Sequence, residues 1–223
     1  MRRPPLASVL LPALATALLA QSPRSSWTLT LDERIALRTD PEIAQQRVKK
    51  NDVSALTAQQ KQTRAPQNLV DSFDGKQHPE LFLPHEVFDE LVRLAFLGSP
   101  RQCQIVQEGF TQDVKRYGLP PDFWKRLQSM SAIYVLDMAS VHDIGAGMQH
   151  QVGRRRERAE ETLALKNADV CRSRADALKS ARNEFGRERF DRFLYEVIAH
   201  NMFYIADRLP DATILRAAEG GCR

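Results

Sequence analysis

RRRERAEETLALKNADVCRSRADALKSARNEF, residues 154–185, decides the fold. Ala164, Cys171, Leu178 and Phe185 recur at intervals of seven, with Leu163, Val170 and Ala177 in a parallel row. Two adjacent seven-residue rows form one apolar seam on a helix, and such a seam must be covered by another helix. Gly186 breaks the pattern. Phe190, Phe193, Leu194, Val197, Ile198 and Ile205 then continue at three- and four-residue steps toward Pro210. A glycine between two amphipathic runs predicts an antiparallel pair over residues 154–209, with Leu178 and Leu194 at the same height.

N-terminal to this stretch the helical period persists. Val87, Phe88, Leu91, Val92, Ala95 and Phe96 follow a helix-opening Pro84. Gly98-Ser99-Pro100 closes that helix and caps the next, whose apolar face is Cys103, Val106, Phe110 and Val114. Gly118 is a stop signal, and Pro120-Pro121 start a helix carrying Phe123, Trp124, Leu127, Ile133, Tyr134, Leu136 and Met138. Residues 143–153 hold three glycines and read either as a loop or as a weak stretch of one long helix. Asp74-Gly75 is a turn signal, and Thr30 with Glu33 has the spacing of a capping box. Thr39-Asp40-Pro41 predicts a helix restart, and residues 51–68 a polar linker. No strand-hairpin pattern is present. The expectation is an all-α, mostly antiparallel helical bundle with a long C-terminal helical hairpin. Its parts are 23–69, short helices and linker; 70–209, the bundle; and 210–223, a tail.

Residues 1–22 have the layout of a secretory signal peptide: Arg2-Arg3, an apolar run over 6–20, and small residues at Ala20 and Ser22. The run is shorter than the roughly 20 residues that span a bilayer. The expectation is an exported, periplasmic or secreted protein with no transmembrane span after cleavage. Loss of Arg2 and Arg3 lowers the formal charge from +4 to +2. A mature chain so near neutrality argues against nucleic acid as a partner. An oxidising compartment allows one disulfide among Cys103, Cys171 and Cys222; Cys103 with Cys171 is one candidate pair.

Motifs that carry chemistry are few. His78, Glu80, His85 and Glu86 combine ligand types suited to a divalent ion, though Pro79 and Pro84 keep them off one helical face. Asp71 and Asp74 fail the phase of a calcium loop. His142-Asp143 are helix neighbours and do not face each other as a base and its orienting acid would. Met130, Met138, His200 and Met202 offer haem ligand types without a Cys-x-x-Cys-His. No Gly-x-Ser-x-Gly elbow, phosphate loop or dinucleotide fingerprint occurs. No cofactor is expected. Arg154, Arg155, Arg156 and Arg158 form the densest charge run, a candidate contact for an acidic partner or lipid headgroups.

The segment from Phe73-Asp74-Gly75 through His78-Pro79-Glu80-Leu81-Phe82-Leu83-Pro84 resembles one in uncharacterised secreted helical proteins of environmental bacteria. There an Asp-Gly turn, a Pro-Glu-Leu element and a helix-starting proline precede a bundle. The resemblance implies export and an all-α architecture, and brings no catalytic residues. The function expected is non-enzymatic: binding a partner or supporting the cell envelope. The alternatives are a metal-binding or hydrolytic bundle centred on His78–Glu86, and a surface-associated protein using the Arg154–Arg158 end.

Overall fold

The computed structural model describes residues 25–40, 73–204 and 212–219. The signal segment, the helix restart at Pro41, the 51–68 linker, residues 205–211 and Cys222 lie outside these. The described chain is all-α. A 3-10 turn at Ser26–Thr28 precedes α1 (Leu31–Thr39), and another at Pro79–Leu81 precedes α2 (Pro84–Ala95). Then come α3 (Pro100–Gly109), α4 (Thr111–Arg116), α5 (Phe123–Met148), α6 (Arg154–Phe185), α7 (Arg187–Phe193) and α8 (Ala212–Glu219). No helix among the described residues is long and apolar enough to cross a membrane.

Local chemistry sets most helix ends. The amide of Glu33 donates to Thr30 Oγ1 at 3.3 Å and the Thr30 amide donates to Glu33 Oε2 at 2.7 Å, the reciprocal box that starts α1. Ser99 and Gln102 do the same for α3. Pro84 opens α2 where its missing N–H costs nothing. Gly118 and Gly186 take φ of 64° and 80°, conformations that a Cβ disfavours, where the chain reverses before α5 and α7.

The helix predicted over 154–185 forms with those bounds. Its longest partner, however, is α5, which returns to it through residues 149–153; the glycine-rich stretch is a helix end followed by a turn. Its pairing with the segment after Gly186 is shorter. There α7 widens into a π-helical turn at Leu194–Ile198 and tightens into a 3-10 turn at Ala199–Asn201. Phe203–Tyr204 then pairs antiparallel with Phe73–Asp74, a two-residue bridge the periodicity did not announce. Gly75 makes that bridge possible. Its amide donates to the Met202 carbonyl at 3.0 Å, and a Cβ there would lie 1.7 Å from the Ala199 oxygen.

The main core is a cluster in which α2, α5, α6 and the π-helical turn after α7 bury Phe88, Leu91, Leu127, Leu178, Leu194 and Ile198. Phe123 anchors the base of the α5–α6 hairpin, with ring centroids 4.8 Å from Phe185, 5.2 Å from Trp124 and 5.4 Å from Phe193. Tilted and edge-to-face rings add ~0.5–1.5 kcal/mol per pair beyond their burial. A second, small cluster joins Ile35 of α1, Leu83 and Leu215 of α8. The described parts of the N-terminal and C-terminal segments thus pack on the bundle rather than standing apart from it.

Candidate functional site

The His78–Glu86 stretch does not assemble as a metal site. His78 Nδ1 and Glu80 Oε1 are 3.3 Å apart. Glu86 is engaged by α1 instead: both its carboxylate oxygens accept from Arg38 Nη1, at 2.8 and 2.6 Å, and Oε2 also accepts from the Leu83 amide at 2.9 Å. Among the described residues no three His, Cys, Asp or Glu side chains come close enough to hold an ion. The work of this region is packing α1 onto α2. Arg34, 1% exposed, stacks its guanidinium 3.7 Å from the centre of the Tyr195 ring and donates to the carbonyls of Glu80 and Ser26. Composition gave no sign that Arg34 and Arg38 would be among the most buried side chains, since arginine is rarely enclosed unless paired.

A polar network links α2, α5 and α6. Tyr134 donates its hydroxyl to Asp89 Oδ1 at 2.7 Å, and Arg174 Nη1 donates to Asp89 Oδ2 at 3.1 Å. Burial raises the Asp89 carboxyl above the usual aspartate value, and Arg174, the Tyr134 bond and His85 oppose that rise. Burial, with Asp89 beside it, also pushes the Tyr134 phenol upward.

Next to this network, α6 lines a cavity of about 340 Å³ with His85 of α2 and Arg187 of α7. Its polar lining is His85, Arg174, Lys179, Arg182, Asn183 and Arg187, with no carboxylate among the described lining residues. Asp191 stands just behind, accepting from Arg182 at 2.8 Å and lying 3.8 Å from Arg187. A signal for this site exists in the sequence: Arg174 and Arg182 lie four residues either side of the seam residue Leu178, and Lys179 and Asn183 lie four apart on the adjacent row.

Cys171 also lines this cavity and is disulfide-bonded, whereas Cys103 is a free thiol 3.0 Å from the Leu97 carbonyl. The Cys103–Cys171 pairing expected as one candidate is therefore not formed. Cys103 is held on α3 at the end of α2, while Cys171 faces the α6 cavity.

Most of the remaining sequence candidates lie on the far half of the α5–α6 hairpin. No residue between 135 and 169 is fully buried, although Val135 and Val141 pack against the edge of the core. This arm extends roughly 20 Å, at 1.5 Å per residue over the last turns of α5. Its surface carries Leu136 at 67%, Leu165 at 70% and, in the tip turn, Val152 at 82% exposure, with Ile133 at 69% near its base. Arg154, Arg155, Arg156 and Arg158 are exposed beside Val152, and Arg156 pairs with Glu160 at 3.0 Å. His142 and Asp143, 3.7 Å apart, are each 84% exposed. Of the haem ligand types, Met138 on α5 and His200 are exposed, and Met130, also on α5, and Met202 are half-buried. No family model, curated protein or solved structure matches this chain.

Proposed function

We propose that this is a non-enzymatic, exported helical protein that binds a protein partner of the cell envelope through the α5–α6 arm. The observation that carries the reading is the arm itself. A helical hairpin that leaves the core and keeps Leu136, Leu165 and Val152 in water has apolar surface that a partner would cover. The signal pattern of residues 1–22 and the disulfide at Cys171 support an oxidising location. Mass spectrometry of exported protein is expected to find a start near residue 21 or 23; an intact Met1 would remove that part of the reading.

The test of the arm is a photo-crosslinking residue placed at Leu136 or Leu165 in cells, with Lys125, exposed at the opposite end of α5, as reference. A discrete adduct is expected from the two arm positions and none from Lys125. Equal labelling at all three, or none, counts against the arm as the binding surface.

A second reading is favoured by one observation: Val152 stands exposed beside Arg154, Arg155, Arg156 and Arg158, an apolar residue within a basic tip. That combination suits an anionic lipid surface. It predicts salt-sensitive binding to anionic vesicles, lost when these four arginines become glutamine. The metal or hydrolytic reading of His78–Glu86 has no such support, because Arg38 holds Glu86.

A further inference from the structure

Arg154, Arg155 and Arg156 follow the tip turn of the arm directly, and all three are exposed. They open α6 on poor terms. Gly153, the residue before the helix, has no side chain to accept from the first amides. Three cations in the first turn meet the positive end of the helix dipole, with Glu157 the one carboxylate there. The turn is held by hydrogen bonds within itself. The Gln151 amide donates to the Met148 carbonyl at 3.1 Å, and the Arg156 and Glu157 amides donate to the Gly153 carbonyl at 2.9 and 3.2 Å. Arg156 pairs with Glu160, but both side chains are more than half exposed, and such a pair contributes little. No residue from 142 to 160 is fully buried, so opening this segment costs little compared with opening the body. Other cations on the same two helices are anchored by their neighbours. Lys125 and Arg126 lie between Trp124 and Leu127, and Lys179 and Arg182 lie beside Leu178 and Ala181, four buried residues.

We propose that the tip is a processing site for a trypsin-like serine protease, and that the cut disables the arm while leaving the body folded. Such an enzyme takes a basic side chain into a pocket carrying a carboxylate, and it needs the flanking chain opened from its helix. Nicking concentrates at exposed loop tips, and successive arginines present the required side chain in three frames. Water is the co-reactant. The C–N bond after the chosen arginine breaks, a hydroxyl adds to the arginine carbonyl carbon, and the released nitrogen takes the proton. The two pieces stay together because one core holds both: Phe123 and Leu127 precede the cut, and Leu178, Phe185 and Leu194 follow it. The Phe123 and Phe185 rings, 4.8 Å apart, join the pieces at the base of the hairpin. What the cut removes is the link between the two arm helices, and helix ends with no core over them are marginal alone. The effect on the arm rests on the binding role proposed above; the cut itself does not.

The experiment is limited digestion of the full mature chain with trypsin under native conditions, each cut bond timed by mass spectrometry. The bonds after Arg154, Arg155 and Arg156 are expected to be cut at least about a hundredfold faster than those after Lys125, Arg126, Lys179 and Arg182, because cleavage follows the population of the opened form. Replacing Arg154, Arg155, Arg156 and Arg158 together by glutamine should abolish the tip cut and leave the rates at the four other bonds unchanged. Tip-cut protein should elute with both pieces together and unfold cooperatively. Added to isolated envelopes, variants with the photo-crosslinking residue at Leu136 or Leu165 should form the adduct when uncut and lose most of it when cut. Tip bonds cut no faster than those after Lys125 or Lys179, or pieces that separate, overturn the proposal. Cut variants that crosslink as well as uncut ones overturn its effect on the arm. No adduct from the uncut variants removes the arm as binding surface and that effect with it, and the cut then stands or falls on the digestion alone.

Discussion

Arg38 shows how much a single charged side chain holds in this fold. Its guanidinium is 1% exposed and meets both oxygens of Glu86, which in turn accepts from the amide of Leu83, the N-cap of α2. Removing one member of a buried pair leaves the other charge uncompensated. Arg38→Ala is expected to cost about 3 kcal/mol in urea unfolding, the low end of that class because Glu86 keeps partial access to water. The double variant Arg38→Met, Glu86→Gln should recover most of the loss; an equally unstable double variant would show that the arginine matters for its packing instead. Asp89 carries a different signature. Burial, the largest influence on it, raises its pKa above the ordinary 3.8. An acid whose folded pKa is raised binds its proton more tightly when folded, so stability falls as pH rises from the ordinary value to the raised one, then levels off. The stability of wild type minus that of Asp89→Asn, followed from about pH 3 to pH 7, should decline across that window. A difference that grows with pH would mean Arg174 outweighs burial.

At the scale of the element, α6 is two objects on one helix. Its second half buries Val170, Ala177, Leu178, Ala181 and Phe185; its first half buries nothing. Leu178→Ala and Leu194→Ala are therefore expected to cost ~2–5 kcal/mol each, through lost transfer energy and the cavity left behind. Leu165→Ala on the same helix, Leu136→Ala on α5 and Arg155→Ala at the tip should each stay within about 0.5 kcal/mol. Urea midpoints of the five variants, compared directly, check the division. If Leu165→Ala unfolds as early as Leu178→Ala, the arm is part of the core. The seven-residue rows in 154–185 do not reveal this division, because they run the whole length of the helix. Ala164 and Leu178 occupy the same row, yet Ala164 is exposed and Leu178 buried. What differs is whether a third element, α2 or α7, lies against the pair.

For the whole molecule, the arm is separable from the body that holds it. Replacing residues 142–160 by a short glycine-serine turn is expected to leave a cooperatively unfolding protein, since no core side chain lies in that span. A variant that no longer unfolds cooperatively would show that the hairpin supports the bundle. The body itself is closed by long-range contacts. The Phe73–Asp74 bridge to Phe203–Tyr204, the seat of Arg34 on Tyr195, and the cluster of Ile35, Leu83 and Leu215 tie the two ends of the described chain to the body.

The sequence by itself determined the all-α class, nearly every described helix start, and the seam. Each of these depends on neighbours within a few turns: Thr30 with Glu33, Ser99 with Gln102, Pro84 at a first helical position, and Val170, Ala177 and Leu178 on one face. Tertiary structure alone decided which helix covers that seam, where α7 departs from regular helix, and which cysteine is bridged. It also decided that Glu86 serves Arg38 rather than a metal, and that cations spread over residues 174–187 share one cavity. Helical periodicity fixes the direction of a side chain around its own axis. It carries no information about which distant residue lies in that direction, and charge pairing, burial and cavities are properties of that second residue.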